Sequence, residues 1–275
     1  MSIFKILQSW YKNVVGKISI ICLILSLILL IMAFSESGNF SAFLANNINS
    51  TLIGLATNLI GIIITIGFIQ YFLELQNENN LKENERILIN QYNRKTKILI
   101  EKYKMYFHSI TTPLSSEDRF GDSLNIRVDF PFEDLCDMYK SSPFVNVNLI
   151  APSIELFYEA EKELRDHMIK MMENITFKYN EEIFKILVEF TENSIRYDRR
   201  NAILNNKNIS SGNRKTVADM AEQIMKDHSK NLVEDFHSGK LGSNLIIPYI
   251  EFYDLLKIEI DLIFKYEELI DKIKD

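Results

Sequence analysis

Two apolar runs open the chain, and apolar positions at helical spacing fill the rest. The first run is Ile18 to Phe34; the second is Thr51 to Leu73, TLIGLATNLIGIIITIGFIQYFL. The hydrocarbon core of a bilayer, about 30 Å thick, is crossed by roughly 20 apolar residues in a helix. The second run meets that length without a charge. The first reaches it by taking in Val14, Val15 and Gly16, with Lys17 snorkelling to the interface. A signal peptide is the rival reading of the first run, but the run is long for an h-region and no clean small-x-small site follows. Two transmembrane helices are therefore expected, at about 14–34 and 51–73, within a membrane domain of residues 1–75.

From Gln76 to Ile110 there is no Pro or Gly. Leu81, Leu88, Tyr92, Leu99, Tyr103, Tyr106 and Ile110 recur at spacings of three, four or seven, which mark one helix face. This predicts a stalk helix over 76–112. Its stripe packs either on its own domain or on another copy as a coiled coil. Pro113, Gly121, Pro131 and Pro143 punctuate an irregular stretch over 113–150, with a short helix expected at Phe132 to Tyr139 and an extended piece at Asn125 to Phe130.

Four further helices follow. One starts after Pro152 and uses Leu156, Phe157, Ala160, Leu164, His167, Met168 and Met171. A second runs from about Asn180 to Asn205, with Ile183, Leu187, Phe190, Ser194, Tyr197 and Leu204 inward. The polar stretch NNKNISSGN is expected as a loop. A third helix ends near His237, closed by the glycines of SGKLGSN. The last begins near Pro248 and carries Phe252, Leu256, Ile260, Ile263 and Ile270. The expected fold class is all-α: two transmembrane helices, a stalk helix, and a cytoplasmic antiparallel helical bundle over 113–275.

Charge sets the orientation. Lys5, Lys12 and Lys17 precede the first span, and Lys82, Arg86, Arg94, Lys95 and Lys97 follow the second. The connecting SESGNFSAFLANNINS has one acid, Glu36, and no Lys or Arg. Both termini are therefore expected in the cytoplasm, with Trp10 and Tyr11 at the interface. Of 31 basic and 37 acidic residues, three lysines and one glutamate fall in residues 1–73. The remaining part, net −8, is a poor partner for nucleic acid, whose binding depends on phosphate neutralisation. Cys22 and Cys136 give no disulfide framework.

No catalytic signature is readable. His108, His167, His228 and His237 make no zinc-ligand spacing, and GKLGS lacks the phosphate-loop pattern. No metal or cofactor is expected, and no enzyme. Asp198, Arg199 and Arg200 form a charged cluster. It reads either as a structural ion pair with a nearby acid or as an anion site, since an arginine fork suits phosphate or carboxylate. A helical ribonuclease of the HEPN type places a histidine several positions after its arginine; Asn201 to Lys207 contains none. In the second span Thr51, Gly54, Asn58, Gly61 and Thr65 are separated by 3, 4, 3 and 4, so they share a face. Small residues allow helix backbones to approach in lipid, and an Asn there seeks an interhelical hydrogen bond. Its partner is either Ser19, Cys22 and Ser26 of the first span, also spaced 3 and 4, or a second copy.

The span NLIGIIITIGFIQYFLE and the segments PSIELFYEAEKEL, YDRRNAIL and LGSNLIIPYIEFYDLL resemble a widespread, uncharacterised group of bacterial two-pass membrane proteins with a helical cytoplasmic region. The resemblance covers most of 51–275 and implies no activity. The layout is similar to that of two-transmembrane effectors in anti-phage systems. The expectation is an inner-membrane, non-enzymatic sensor or effector that forms homo-oligomers through the second span and responds to a cytoplasmic protein or small ligand. A passive membrane-anchored scaffold that recruits a cytoplasmic partner is the alternative.

Overall fold

The elements follow the apolar periodicity closely enough that the chain is all-α. The computed structural model describes residues 14–34, 42–120, 124–143, 151–208, 210–211, 215–242 and 244–274. Its helices are α1 (Val14–Phe34), α2 (Ala42–Thr111), α3 (Ser153–Asn174), α4 (Glu181–Arg196), α5 (Arg200–Asn205), α6 (Val217–His237) and α7 (Ile247–Lys274). Short 3-10 turns lie at Glu117–Phe120 and Phe132–Asp137. Lys5, Trp10, Tyr11, Lys12 and Glu36, used above for orientation, lie outside the described residues. The chain divides into two compact units, Met1–Leu81 and Lys82–Asp275.

In the first unit, two helices are long and apolar enough to cross a membrane, by length and composition. α1 has 21 residues, about 31 Å at 1.5 Å per residue. Its buried positions are small, Gly16, Ser19, Ser26 and Ala33, and Cys22, Leu29 and Leu30 are half-buried. Ile18, Ile21, Ile24, Leu27 and Ile31 are exposed. On α2, Ala56 and Ile63 are buried, and Leu52, Leu59, Ile66 and Gln70 are half-buried. These six alternate at four and three, one continuous helix face.

In the second unit, the stretch expected as a stalk is helical, and Leu99, Tyr103 and Ile110 of its apolar stripe are buried, with Tyr92 and Tyr106 packed against the core. Glu85, Ile89, Asn93, Thr96, Ile100, Tyr103, Phe107 and Ile110 are buried. Leu81 and Leu88 are exposed. Glu85, Asn93 and Thr96 are polar residues in the buried stripe, so a reading that follows apolar residues alone misses its first half. This face packs on its own domain. His167 Nε2 of α3 lies 3.1 Å from Thr96 Oγ1, and Lys102 Nζ pairs with Glu163 at 2.8 Å, so α2 and α3 run in opposite directions. Tyr266 of α7 donates to Asn93 at 3.2 Å, and Tyr103 to Glu259, so α7 also opposes α2. Rings from four helices meet in one cluster. Tyr103 packs on Phe157 at 5.1 Å and Phe190 at 6.3 Å, and Phe157 on Phe252 at 5.7 Å.

Two local expectations are corrected. The helix expected over 180–205 breaks at Tyr197–Arg199. Asp198 Oδ1 accepts the Arg200 backbone N–H at 2.9 Å. That local bond competes with helix continuation and starts α5 instead. The loop expected before α6 contains a small antiparallel pair, Ser210–Ser211 with Lys215–Thr216. Thr216 and Asp219 then form a reciprocal capping box that starts α6. α6 ends as expected on a glycine. Gly239 has φ +72, its N–H bonds Phe236 O, and Lys240 N–H bonds Asp235 O, a Schellman closure.

Candidate functional site

The second unit holds a polar cluster sealed in its core, and an acid on each of two helices builds it. Phe157, Glu161, Leu164, Met168 and Met171 recur at four and three along the buried face of α3. Phe252, Leu256, Glu259, Ile263, Tyr266 and Ile270 do the same on α7. Glu161 and Glu259 therefore occupy core positions, 3% and 0% exposed. Burying an ionised carboxylate is costly unless it is paired and hydrogen-bonded.

Glu161 is fully supported. Its Oε1 accepts from the Ser194 hydroxyl of α4 and from Arg165 Nη1 at 3.3 Å, and its Oε2 accepts from Arg200 Nη2 at 2.8 Å. Arg165 Nη1 also donates to Ser194 at 3.0 Å. Arg200 lies over the Tyr158 ring, 5.0 Å from its centroid. Burial nonetheless lifts the Glu161 carboxyl above the usual range, against the pull of Ser194 and both arginines.

Glu259 is less well provided. Its Oε2 accepts the Tyr103 hydroxyl of α2 at 2.7 Å. Among the described residues its Oε1 has no hydrogen-bond partner, nor do the Tyr158 hydroxyl and Arg200 Nε nearby. Burial, then the charge of Glu161, holds the Glu259 carboxyl well above the ordinary range. Burial also pushes the Tyr103 and Tyr158 hydroxyls far up.

The Asp198, Arg199 and Arg200 cluster sits at the rim of this site. Both arginines are taken by acids of neighbouring helices. Arg199 forks onto Glu251 of α7, through Nε to Oε2 and through Nη2 to Oε1 at 2.9 Å. Arg200 reaches Glu161 of α3, and Asp198 Oδ1 accepts the backbone N–H of Arg200, the first residue of α5. The helix break lets two adjacent arginines point to two different helices. His167, 6% exposed, is a core residue bonded to Thr96. Among the described residues no three His, Cys, Asp or Glu side chains converge as metal ligands would.

The second group of candidate residues lies in the first unit. Thr51, Asn58, Gly61 and Thr65 are exposed and Gly54 is half-buried. The covered face of α2 is instead that of Ala56 and Ile63. Thr65 Oγ1 bonds the Gly61 carbonyl of its own helix at 2.9 Å. A Cβ at Gly54 or Gly61 would meet nothing within 4 Å.

Pattern reading missed Glu161, Glu259, Tyr103, Arg165 and Ser194 as a set. The signal was present: an acid in the core register of an otherwise apolar helix face. No family model matches the chain, and comparison with curated proteins and with solved structures returns no significant match.

Proposed function

We propose that this is a bacterial inner-membrane protein that acts as a non-enzymatic sensor and effector. In this reading α1 and the start of α2 cross the membrane and both termini are cytoplasmic. Residues 76–112 form the stalk, and 113–275 complete a helical bundle. Copies associate through the second span, and a cytoplasmic signal alters that association. The output is a change in the membrane, in stress or phage defence. The distribution of Lys and Arg supports the orientation.

The observation that carries the reading is the placement of Asn58. It sits on an exposed face of an apolar helix, between glycines that have open space around them. In hydrocarbon a carboxamide facing lipid is costly, whereas facing another helix it finds a partner. Among the described residues nothing approaches Gly54 or Gly61 closely enough to require glycine, whereas a second copy of α2 packed on that face would. The same helix continues to Thr111 and carries Tyr103 of the buried cluster, so the site that would receive a signal and the span that would act share one helix.

Asn58→Leu tests this. The parent chain is expected to run as an oligomer in mild detergent and to depolarise cells when its trigger is present. The Leu variant is expected to lose both. A strictly monomeric parent contradicts the reading. An unchanged membrane together with a stably co-purifying protein supports the passive scaffold instead.

A further inference from the structure

Glu259 stands where a carboxylate has no support. It is 0% exposed, and among the described residues one oxygen has a single donor in Tyr103 and the other has none. Among the described residues no cation lies within ion-pair distance of it; the cluster's arginines pair with Glu161. The groups that face it are Tyr103 from α2, Tyr158, Glu161 and Arg165 from α3, and Arg200 from α5. Two acids thus share a buried site; both arginines pair with Glu161 and pull on Glu259 only from beyond ion-pair distance. Like-charged carboxyls in one buried site do not both ionise.

We infer that Glu259 is a neutral acid at neutral pH and that its proton latches α2 to α7. Ionisation breaks the O–H bond of the carboxyl and delivers the proton to solvent; nothing is oxidised or reduced. The carboxylate left behind needs water or a paired cation, and among the described residues Arg165 and Arg200 pair with Glu161 instead. Proton loss and separation of α2 from α7 are therefore one event. The latch concerns the second unit alone and holds whether or not the apolar helices self-associate.

The sign of the pH effect follows. Burial and the charge of Glu161 raise the folded-state value, so folding favours the protonated form. The stability this contributes is full below the ordinary glutamate range and is lost as pH rises toward the folded value. While Glu259 stays protonated in the fold, protection of α2 falls about tenfold per pH unit, as one proton requires.

The test uses the full chain in detergent. At neutral pH the infrared spectrum of the wild type should contain the carbonyl stretch of a protonated carboxyl that E259Q lacks. Hydrogen exchange around Tyr103, corrected for base catalysis, should accelerate with pH in the wild type and stay flat in E259Q. Tyr103→Phe gives the infrared readout if E259Q does not fold: the band persists but shifts as the hydroxyl is lost. No protonated-carboxyl band in the wild type, or equal exchange slopes in wild type and E259Q, overturns the latch.

Discussion

Tyr103 of α2 donates a hydrogen bond of 2.7 Å to Glu259 of α7, and neither residue has any exposed surface. The bond spans 156 positions of sequence and joins the helix that begins as an apolar run to the last helix of the chain. Removing the hydroxyl strips Glu259 of its one donor. Tyr103→Phe is expected to lower stability by about 1–3 kcal/mol, the range for orphaning a buried polar group. Thermal unfolding of the full chain in detergent measures it.

Arg199 and Arg200 are neighbours, but their losses should differ. Arg200 pairs with Glu161, whose side chain is 3% exposed, whereas the Arg199–Glu251 pair is 34% and 19% exposed. Arg200→Ala leaves a buried acid with only Arg165 and is expected to cost roughly 3–5 kcal/mol. Arg199→Ala is expected to cost about 1 kcal/mol. Chemical denaturation of the two variants side by side decides this; equal costs would contradict the burial argument.

Glu85 holds the turn between α3 and α4. Its carboxylate accepts the Lys178 N–H at 2.8 Å, the Tyr179 N–H at 3.1 Å and the Asn180 side-chain amide at 2.8 Å. Phe177 within that turn has φ 49, a conformation that needs support in a non-glycine residue. Glu85→Ala is expected to cost about 3 kcal/mol and to raise hydrogen exchange at Lys178 and Tyr179 first. Unchanged protection at those two amides would contradict the role.

Cys136 is buried, and burial beside Asp137 pushes its thiol up to about 11. Only the thiolate reacts with alkylating reagents. Native protein is expected to leave Cys136 unlabelled at neutral pH and to label it on unfolding, as intact-mass measurement would show.

The helices were legible in the sequence, because apolar periodicity marks the faces of α3, α4 and α7 directly. Phe157, Leu187 and Leu256 are all buried where the pattern places them. The face of α2 was legible only in its second half, where Leu99, Tyr103 and Ile110 are buried; before it Leu81 and Leu88 are exposed, and Glu85, Asn93 and Thr96 fill buried positions through partners far along the chain. The cluster was hidden for the same reason. An acid at position 161 or 259 looks like a solvated residue until Arg200 and Tyr103 are brought beside it. The break at Asp198 depended on a side-chain to backbone bond that competes with the helix over two residues, which no periodicity records.

If the Asn58 face of α2 meets another copy, disulfide trapping in native membranes will capture the pair. In a Cys22→Ser background, Thr65→Cys places a thiol on the open face and Ile63→Cys on the covered one. Crosslinked dimers are expected from Thr65→Cys and few from Ile63→Cys. No dimer from Thr65→Cys, or equal yields at both positions, would contradict that contact.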